Sequence, residues 1–185
     1  LYKKRPEIEA DTPKEDVLQS IMTYSCFLEV VHDQQQPASA EFNSGKYPRS
    51  GMGNAKLFTD RFRDKIRFDK TTCKWMAWDG RRWSRENGDI LAQSYCREVA
   101  NYWTDVMKGC ADSDDRKKVA KHWQFTASAA GVRDMLFLAR SEDGMSISHE
   151  ELDAHPYLLN VLDGTIDLRT GKIRPHDPND LITQL

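Results

Sequence analysis

The stretch PYLLNVLDGTIDLRTGKIRPHDPNDLITQL, residues 156–185, decides the fold that we expect for this chain. It contains two turn signals, Asp163-Gly164 and Thr170-Gly171, and the residues around them alternate between apolar and polar. Such alternation is typical of β-strands that are buried on one side only. The stretch therefore predicts a three-stranded antiparallel meander near residues 158–174.

The register of this meander sorts its side chains onto two faces. If the first turn signal is a two-residue turn, Val161 lies opposite Ile166 and Asn160 lies opposite Asp167. One face then collects the apolar residues Leu159, Val161, Ile166, Leu168 and Ile173. The other face carries the polar residues Asn160, Thr165, Asp167, Lys172 and Arg174, with Leu162 as the exception. We therefore expect the sheet to bury its apolar side and to expose its polar side to water.

Composition limits the class of protein. The 185 residues are 39% apolar and 30% charged, which is typical of a soluble globular chain that is long enough to bury a core. No run approaches the ~18 apolar residues of a membrane-spanning helix, and the first ten residues lack the apolar segment of a signal peptide. The four cysteines have no Cys-x-x-Cys spacing, which is typical of reduced thiols. We expect a cytoplasmic protein without a membrane partner.

The first part of the chain differs from the rest. Thr12-Pro13-Lys14-Glu15 has the form of a capping box with proline at the first helical position, and it predicts a helix over about 13–32. The residues after this helix are rich in Gln, Ser, Gly and Pro and have no periodic apolar pattern. The predicted organisation is a helical appendage (1–33), a flexible linker (34–52) and a main domain (53–185).

The main domain is predicted to begin with a short helix capped by Asn54. Strands are predicted near 66–68 and 74–78, and the second of them continues through an Asp79-Gly80 turn into a strand at 82–85, which places Met76 opposite Trp83. Helices follow over about 89–109 and 113–140, the latter with a break near 129–131, and 148–152 forms a short turn. The predicted fold class is α+β, a mainly helical domain with two small antiparallel sheets, the hairpin near 74–85 and the meander.

A basic and aromatic segment extends from residue 56 to residue 85. It has ten Lys or Arg and four Asp, a local charge of +6, whereas the rest of the chain carries −8. Its six aromatic residues are Phe58, Phe62, Phe68, Trp75, Trp78 and Trp83. Cations that bind phosphates and rings that stack on bases are what a single-stranded nucleic acid requires. The alternative is that the tryptophans form the core of a small sheet and the arginines its solvated edge.

The candidate DNA-binding residues fall into two groups. The hairpin supplies Lys74, Trp78, Arg81, Arg82, Trp83 and Arg85. The predicted helix after residue 113 supplies Lys117, Lys118 and Lys121. A group of lysines on a helix, such as this second one, is more often a solvated helix face than a binding site.

Constellations that could support catalysis are missing from the sequence. Gly164 and Gly171-Lys172 differ from a phosphate-binding loop, because six residues separate the glycines instead of four and strands flank them. The Asp112-x-Asp114 pair lies between predicted helices, where a helix cap is more plausible than a pair of metal ligands. The histidines have no recognised ligand spacing. We predict no catalytic residue, metal site or cofactor in these 185 residues.

Three segments carry a resemblance to a known family: GNAKLFTDRFRDKIRF (53–68), KWMAWDGRRW (74–83) and NVLDGTIDLRTGKIRPHDPNDLITQL (160–185). Together they resemble the domain upstream of the ATPase in poxvirus-type, phage and plasmid primase-helicases. The resemblance covers roughly residues 51–185. It implies that the chain is part of a replication enzyme in which a superfamily 3 helicase core follows this domain.

The resemblance also implies a function. The domain would be non-catalytic and would join primase and helicase in the replication protein of a mobile element, in the cytoplasm of a host cell. Its partners would be single-stranded DNA or a primer-template, further copies of the chain in a hexameric ring, and other replication proteins. ATP and magnesium would bind only in the helicase core.

Other classes of function stay open from the residues alone. The chain could be a dedicated DNA-binding module, whose affinity would fall steeply with salt. It could instead be a protein-interaction module that recruits a polymerase or a replication factor, with the helix over 13–32 as the docking element. A self-contained nuclease or synthase would need a carboxylate or histidine cluster that the sequence does not display.

Overall fold

A computed structural model describes residues 46–185. The predicted helix over 13–32 and most of the predicted linker lie outside the described residues. Residues 46–52, the predicted end of the linker, are part of the packed body. Tyr47 is buried, and its hydroxyl donates a hydrogen bond to Asp60 Oδ2 at 3.0 Å. This part of the predicted linker therefore contacts the main domain, and the predicted division of the chain stays a prediction.

Four α-helices occur in the described part of the chain: α1 (Gly51–Phe62), α2 (Gly88–Gly109), α3 (Ser113–Thr126) and α4 (Ala129–Ala139). Ser50, Asp112 and Ser128 cap α1, α3 and α4, each by accepting a hydrogen bond from the backbone N–H three residues later. The prediction of α2 is confirmed. The predicted helix over 113–140 breaks slightly earlier than expected, because Ser128 starts a new helix and a side chain at Gly131 would collide with the Phe125 carbonyl.

Asn54 does not cap α1, in contrast to the prediction. Its side chain is fully buried, where Oδ1 accepts a hydrogen bond from Trp103 Nε1 at 2.7 Å and Nδ2 donates to Thr126 Oγ1 at 2.8 Å. His122 Nε2 lies 3.0 Å from the same Oδ1, and burial together with the nearby Arg49 lowers the pKa of His122. These contacts tie α1, α2 and α3 together inside the core.

The first sheet has four strands in the order β3-β2-β1-β4: β1 (Ile66–Asp69), β2 (Lys74–Trp78), β3 (Trp83–Ser84) and β4 (Ser146–Ile147). The β1–β2 and β2–β3 pairs are antiparallel, whereas β1 and β4 are parallel. Because β4 has only two residues, it leaves no periodic signal in the sequence. Its addition makes this sheet mixed, where we predicted an antiparallel hairpin.

The turn between β2 and β3 is longer than predicted. Trp78 pairs with Trp83, so the loop consists of residues 79–82 instead of two residues. The predicted pairing of Met76 with Trp83 is therefore wrong by two residues. A shift of two residues keeps every side chain on its original face, so the predicted faces of the hairpin are retained.

Both faces of the four-stranded sheet are buried. On one face, Trp75 is 3% exposed and its ring packs against Phe58 of α1, with ring centroids 5.9 Å apart. On the other face, Met76 and Trp83 are buried against Ile147. The interpretation of these tryptophans as the core of a small sheet is therefore confirmed for Trp75 and Trp83.

The second sheet consists of β5 (Leu158–Val161), β6 (Gly164–Asp167) and β7 (Lys172–Arg174), all antiparallel, which confirms the predicted meander. Leu159 pairs with Ile166, and Ile166 pairs with Ile173. The first turn is therefore 162–163, and the predicted pairing of Val161 with Ile166 is wrong by two residues. Again the two sets of side chains lie on the faces to which the alternation assigns them.

The burial of this sheet is the reverse of the prediction. Asn160 and Thr165, on the polar face, are 7% and 1% exposed, whereas Leu159 and Ile173, on the apolar face, are 48% and 55% exposed. The buried polar atoms are satisfied within the face, since Thr165 Oγ1 donates to Asn160 Oδ1 at 2.9 Å. The alternation identified the two faces correctly but not which of them is buried.

Two short 3₁₀ helices complete this part of the chain, His149–Glu151 and Pro178–Asp180. The first confirms the predicted turn over 148–152, and the Ser148 and Glu151 side chains form a capping box there. Four helices, two small sheets and these connections confirm the α+β fold class.

Candidate nucleic-acid interface

The loop of residues 79–82, which we call the arginine loop, carries two of the predicted DNA-binding residues. Asp79 Oδ1 accepts hydrogen bonds from the backbone N–H groups of Arg81 and Arg82, both at 2.8 Å, and the Asp79 N–H donates to the Arg82 carbonyl at 3.1 Å. Gly80 has a φ of +94°, a conformation that favours glycine. The loop is therefore held by its own backbone while the side chain of Arg81 is exposed.

Arg82 is half-buried and pairs only loosely within the loop. Its Nε lies 3.5 Å from Asp79 Oδ2, and the two side chains are 39% and 44% exposed. An exposed pair at this distance contributes little to stability, typically about 0–1 kcal/mol. The guanidinium group can therefore exchange this contact for another anion at small cost.

The two tryptophans of the hairpin are not equivalent. Trp83 is 1% exposed, and its Nε1 donates to the Pro178 carbonyl at 2.7 Å. A ring that is enclosed in this way has no open face for a base, so its burial argues against the prediction of Trp83 as a DNA contact. Trp78 is half-buried beside it, with ring centroids 5.7 Å apart, and it remains a candidate.

Arg85 forms an ion pair with the buried Asp69. Its Nε and Nη2 donate to Asp69 Oδ2 at 3.0 and 2.7 Å. Burial by itself would raise the pKa of the Asp69 carboxyl, but hydrogen bonds from Arg85, Thr72 and the backbone of Thr71 outweigh it and lower the pKa to about 2. Arg85 thus stabilises the turn between β1 and β2, which competes with a role in binding DNA. Lys74, opposite Asp69 in the ladder, is exposed and remains a candidate.

The three predicted lysines of α3 lie on a different element. Lys117 Nζ pairs with Asp114 at 3.1 Å, and both side chains are 76% exposed. Lys118 and Lys121 are also exposed. Because α3 packs against α2 and α4, these lysines belong to the helical part of the domain and not to the hairpin. Their arrangement fits a solvated helix face.

The residues that support the arginine loop were missed by sequence reasoning. Asn160 Nδ2 donates to the carbonyls of Arg81 and Gln184, at 2.8 and 3.2 Å. Asn160 Oδ1 lies 2.8 Å from His176 Nδ1, and since this oxygen can only accept, the proton is on Nδ1. The first contact spans 79 residues of sequence, so no local pattern could have identified it.

An open cleft of about 460 Å³ lies beside the arginine loop. Its lining consists of Gly80, Asp163, Ile173, Arg174, Pro175 and His176. Gly80 belongs to the loop itself, and the other residues come from the three-stranded sheet and the segment after it. Arg174 is fixed by Asp180, with Nη2 and Oδ1 2.6 Å apart. The cleft therefore combines apolar, acidic and basic groups next to the exposed Arg81 and the half-buried Arg82.

Other chemical features of residues 46–185 are limited. No group of three or more His, Cys, Asp or Glu side chains in this range could hold a metal ion. None of the helices described is long and apolar enough to cross a membrane. Cys73, Cys96 and Cys110 are free thiols, and burial raises the pKa of Cys96 to about 12.

A comparison with protein families supports the resemblance that the three sequence segments carry. No curated protein matches this chain. The family model described as D5 N terminal like matches residues 55–185, a range that contains both sheets, the arginine loop and the cleft. This family corresponds to the pre-helicase region of D5-type primase-helicases. Since the match covers more than half of its length, the chain belongs to the D5 N terminal like family.

Proposed function

We propose that this domain binds single-stranded DNA through the arginine loop, within a D5-type primase-helicase in which it links the primase to a superfamily 3 helicase. The observation that carries the proposal is the pair of adjacent cations, Arg81 and Arg82, on a loop fixed by Asp79 and supported by Asn160. A loop that is already ordered loses less conformational entropy on binding than a flexible one. Phosphate contacts then supply the affinity.

The surroundings of the loop support the same function. The segment 56–85 carries a local charge of +6, and Lys74 is exposed at the far end of β2. Trp78 is half-buried beside the loop and offers part of an aromatic ring for contact with a base. Trp83 supports these residues from within the domain, and Arg85 does so through its ion pair with Asp69.

Family membership supports the wider part of the proposal. The parent protein is a replication enzyme of a phage, plasmid or other mobile element in the host cytoplasm, and its helicase works as a hexameric ring. The domain helps to assemble that ring and to guide DNA or a primer-template to it, beside other replication proteins. ATP and magnesium act in the helicase core and not in this domain.

Fluorescence anisotropy of a labelled thirty-nucleotide single strand, titrated with the chain at two salt concentrations, tests the DNA contact. We expect micromolar binding that weakens as salt rises. The Arg81→Ala/Arg82→Ala variant removes two phosphate contacts, and the slope of log K against log salt should therefore fall by about 1.4 for a single strand.

The matched control is Lys117→Ala/Lys118→Ala, which removes two equally charged residues from α3. It should leave both the affinity and the salt slope close to those of the unmodified chain. Arg85 stays unchanged in both variants because its loss would leave the buried Asp69 carboxylate unpaired. Absence of binding at low salt, or equal losses in the two variants, would refute the proposal.

The second candidate function is that of a protein-interaction module that recruits a polymerase or a replication factor. The exposed apolar face of the three-stranded sheet favours it, since Leu159, Leu168 and Ile173 are each about half exposed. A chain that binds no DNA but is retained by a replication protein would support this function over the first.

A further inference from the structure

The cleft beside the arginine loop has the size and the position of a site for one nucleotide. Its volume of about 460 Å³ falls within the range of about 300–1,000 Å³ that is typical of small-molecule sites. It shares Gly80 with the loop that carries Arg81 and Arg82. A strand whose phosphates contact these two arginines therefore passes the mouth of the cleft.

The apolar part of the lining suits the flat face of a base. Ile173 is 55% exposed although it is aliphatic, and Pro175 is exposed next to it in the lining. A base that covers these side chains removes apolar surface from water on both partners. The ring of His176 does not need to move, because Asn160 fixes its Nδ1.

The charged part of the lining suits the edge of a base better than a phosphate. Arg174 is already engaged by Asp180, and Asp177 and Asp167 also lie close enough to act on its charge. Asp163 and Arg174 leave the lining without net charge, and because Arg174 is already paired, its guanidinium is not free to bind a phosphate. A carboxylate does accept hydrogen bonds from the exocyclic amino group of cytosine or adenine, which thymine lacks.

We infer that this cleft is a base-binding subsite for single-stranded DNA that selects cytosine or adenine over thymine, with Asp163 as the acceptor and Ile173 as the apolar contact. The inference rests on the proposed function and extends it. The arginine loop binds the backbone without reading sequence, and the cleft reads a base.

Anisotropy titrations with labelled dC8, dA8 and dT8 at one salt concentration test the selection. The chain should bind dC8 and dA8 about five- to tenfold more tightly than dT8, in keeping with one hydrogen bond to a base edge. Asp163→Ala should bring the three affinities to within about twofold of one another. Arg81→Ala/Arg82→Ala should weaken all three strands by the same factor, because phosphate contacts carry no sequence information.

A second pair of variants tests the apolar contact. Ile173→Ser should weaken binding of all three strands about fivefold, since a base then covers less apolar surface. Leu168→Ser is the matched control, because Leu168, in the turn between β6 and β7, is also 55% exposed but does not line the cleft. It should bind like the unmodified chain, and the two variants should have equal melting temperatures.

Each result has a distinct meaning. The inference is overturned if the unmodified chain does not distinguish the three strands, if Asp163→Ala leaves the preference intact, or if Ile173→Ser and Leu168→Ser behave alike. When this happens while the arginine-loop variant still loses affinity, the DNA contact stands and only the cleft is wrong. If the unmodified chain binds none of the strands, both the cleft and the proposed function are wrong.

Discussion

In the four-stranded sheet Trp83 is 1% exposed, whereas in the three-stranded sheet Ile173 is 55% exposed, although both belong to the apolar side of a hairpin. The first sheet lies between two layers, with α1 and α2 on one side and the cluster around Leu152 on the other. The second sheet contacts the rest of the domain through its polar side. An alternation of apolar and polar residues thus occurs both in a sheet that buries its apolar side and in a sheet that buries its polar side.

The partner that each sheet meets explains the difference. The three-stranded sheet faces the backbone carbonyls of Arg81 and Gln184, and each of them accepts a hydrogen bond from Asn160. An apolar side chain in that place would leave both carbonyls without a donor, at a total cost of about 1–3 kcal/mol because Gln184 is exposed to water. The polar side is therefore the one that this contact requires, and the apolar side remains available for a ligand.

Truncation of Trp83 should have the largest effect of the changes considered. Trp83→Ala removes a fully buried side chain and its hydrogen bond to the Pro178 carbonyl, so we expect a loss of about 3–5 kcal/mol in the free energy of unfolding. Urea denaturation followed by circular dichroism measures this loss. Tyr157→Ala is the control, because Tyr157 is a 54% exposed aromatic residue next to the other sheet and should cost far less. Similar losses in both variants would contradict the distinction between the two sheets.

Acid should weaken the four-stranded sheet through Asp69. The folded-state pKa of about 2 lies below the ordinary value of 3.8, so the stabilisation is present above pH 3.8 and is lost as pH falls toward 2. Its size is about 2–3 kcal/mol for a shift of this magnitude. Urea denaturation midpoints at a series of pH values should fall as the pH falls for the unmodified chain. For Asp69→Asn the midpoint should depend less steeply on pH. Equal slopes for the two chains would contradict the prediction.

Truncation of Asn160 should affect the three-stranded sheet to a smaller extent. Asn160→Ala leaves the Arg81 and Gln184 carbonyls without their donor, and we expect a loss of about 1–3 kcal/mol. The hydrogen exchange of the amides in the arginine loop should become faster, because the loop loses its support. Asn101→Ala removes the same side chain from an exposed position on α2 and should change neither quantity. An unaltered stability of Asn160→Ala would show that the polar face is not the one that holds this sheet in place.

The fold was predictable where local signals decide it. The cap at Asp112, the strongly periodic helix α2 and the turn signals of the meander each act within a few residues. The exact registers were not predictable, because Asp79 holds a four-residue loop through its own side chain where Asp79-Gly80 alone suggested a two-residue turn.

The candidate site was predictable only in part. Local charge identified the arginine loop, since Arg81 and Arg82 are neighbours in the sequence. The burial of Trp83, the pairing of Arg85 with Asp69 and the support from Asn160 all depend on contacts between distant segments. Periodicity assigns a residue to a face of a sheet but carries no information on what covers that face.

The smallest effect should come from the apolar face of the three-stranded sheet. Leu159 is 48% exposed, so Leu159→Asn should change the free energy of unfolding by less than about 0.5 kcal/mol, the usual range for surface substitutions. Urea denaturation of this variant beside Asn160→Ala compares adjacent residues on opposite faces. If Leu159→Asn were the costlier of the two, the apolar face would be covered within the folded chain. Ile173, which shares that face, would then be unavailable to a base in the cleft. The same measurement therefore tests both which face of the sheet is buried and whether the base-binding subsite is open.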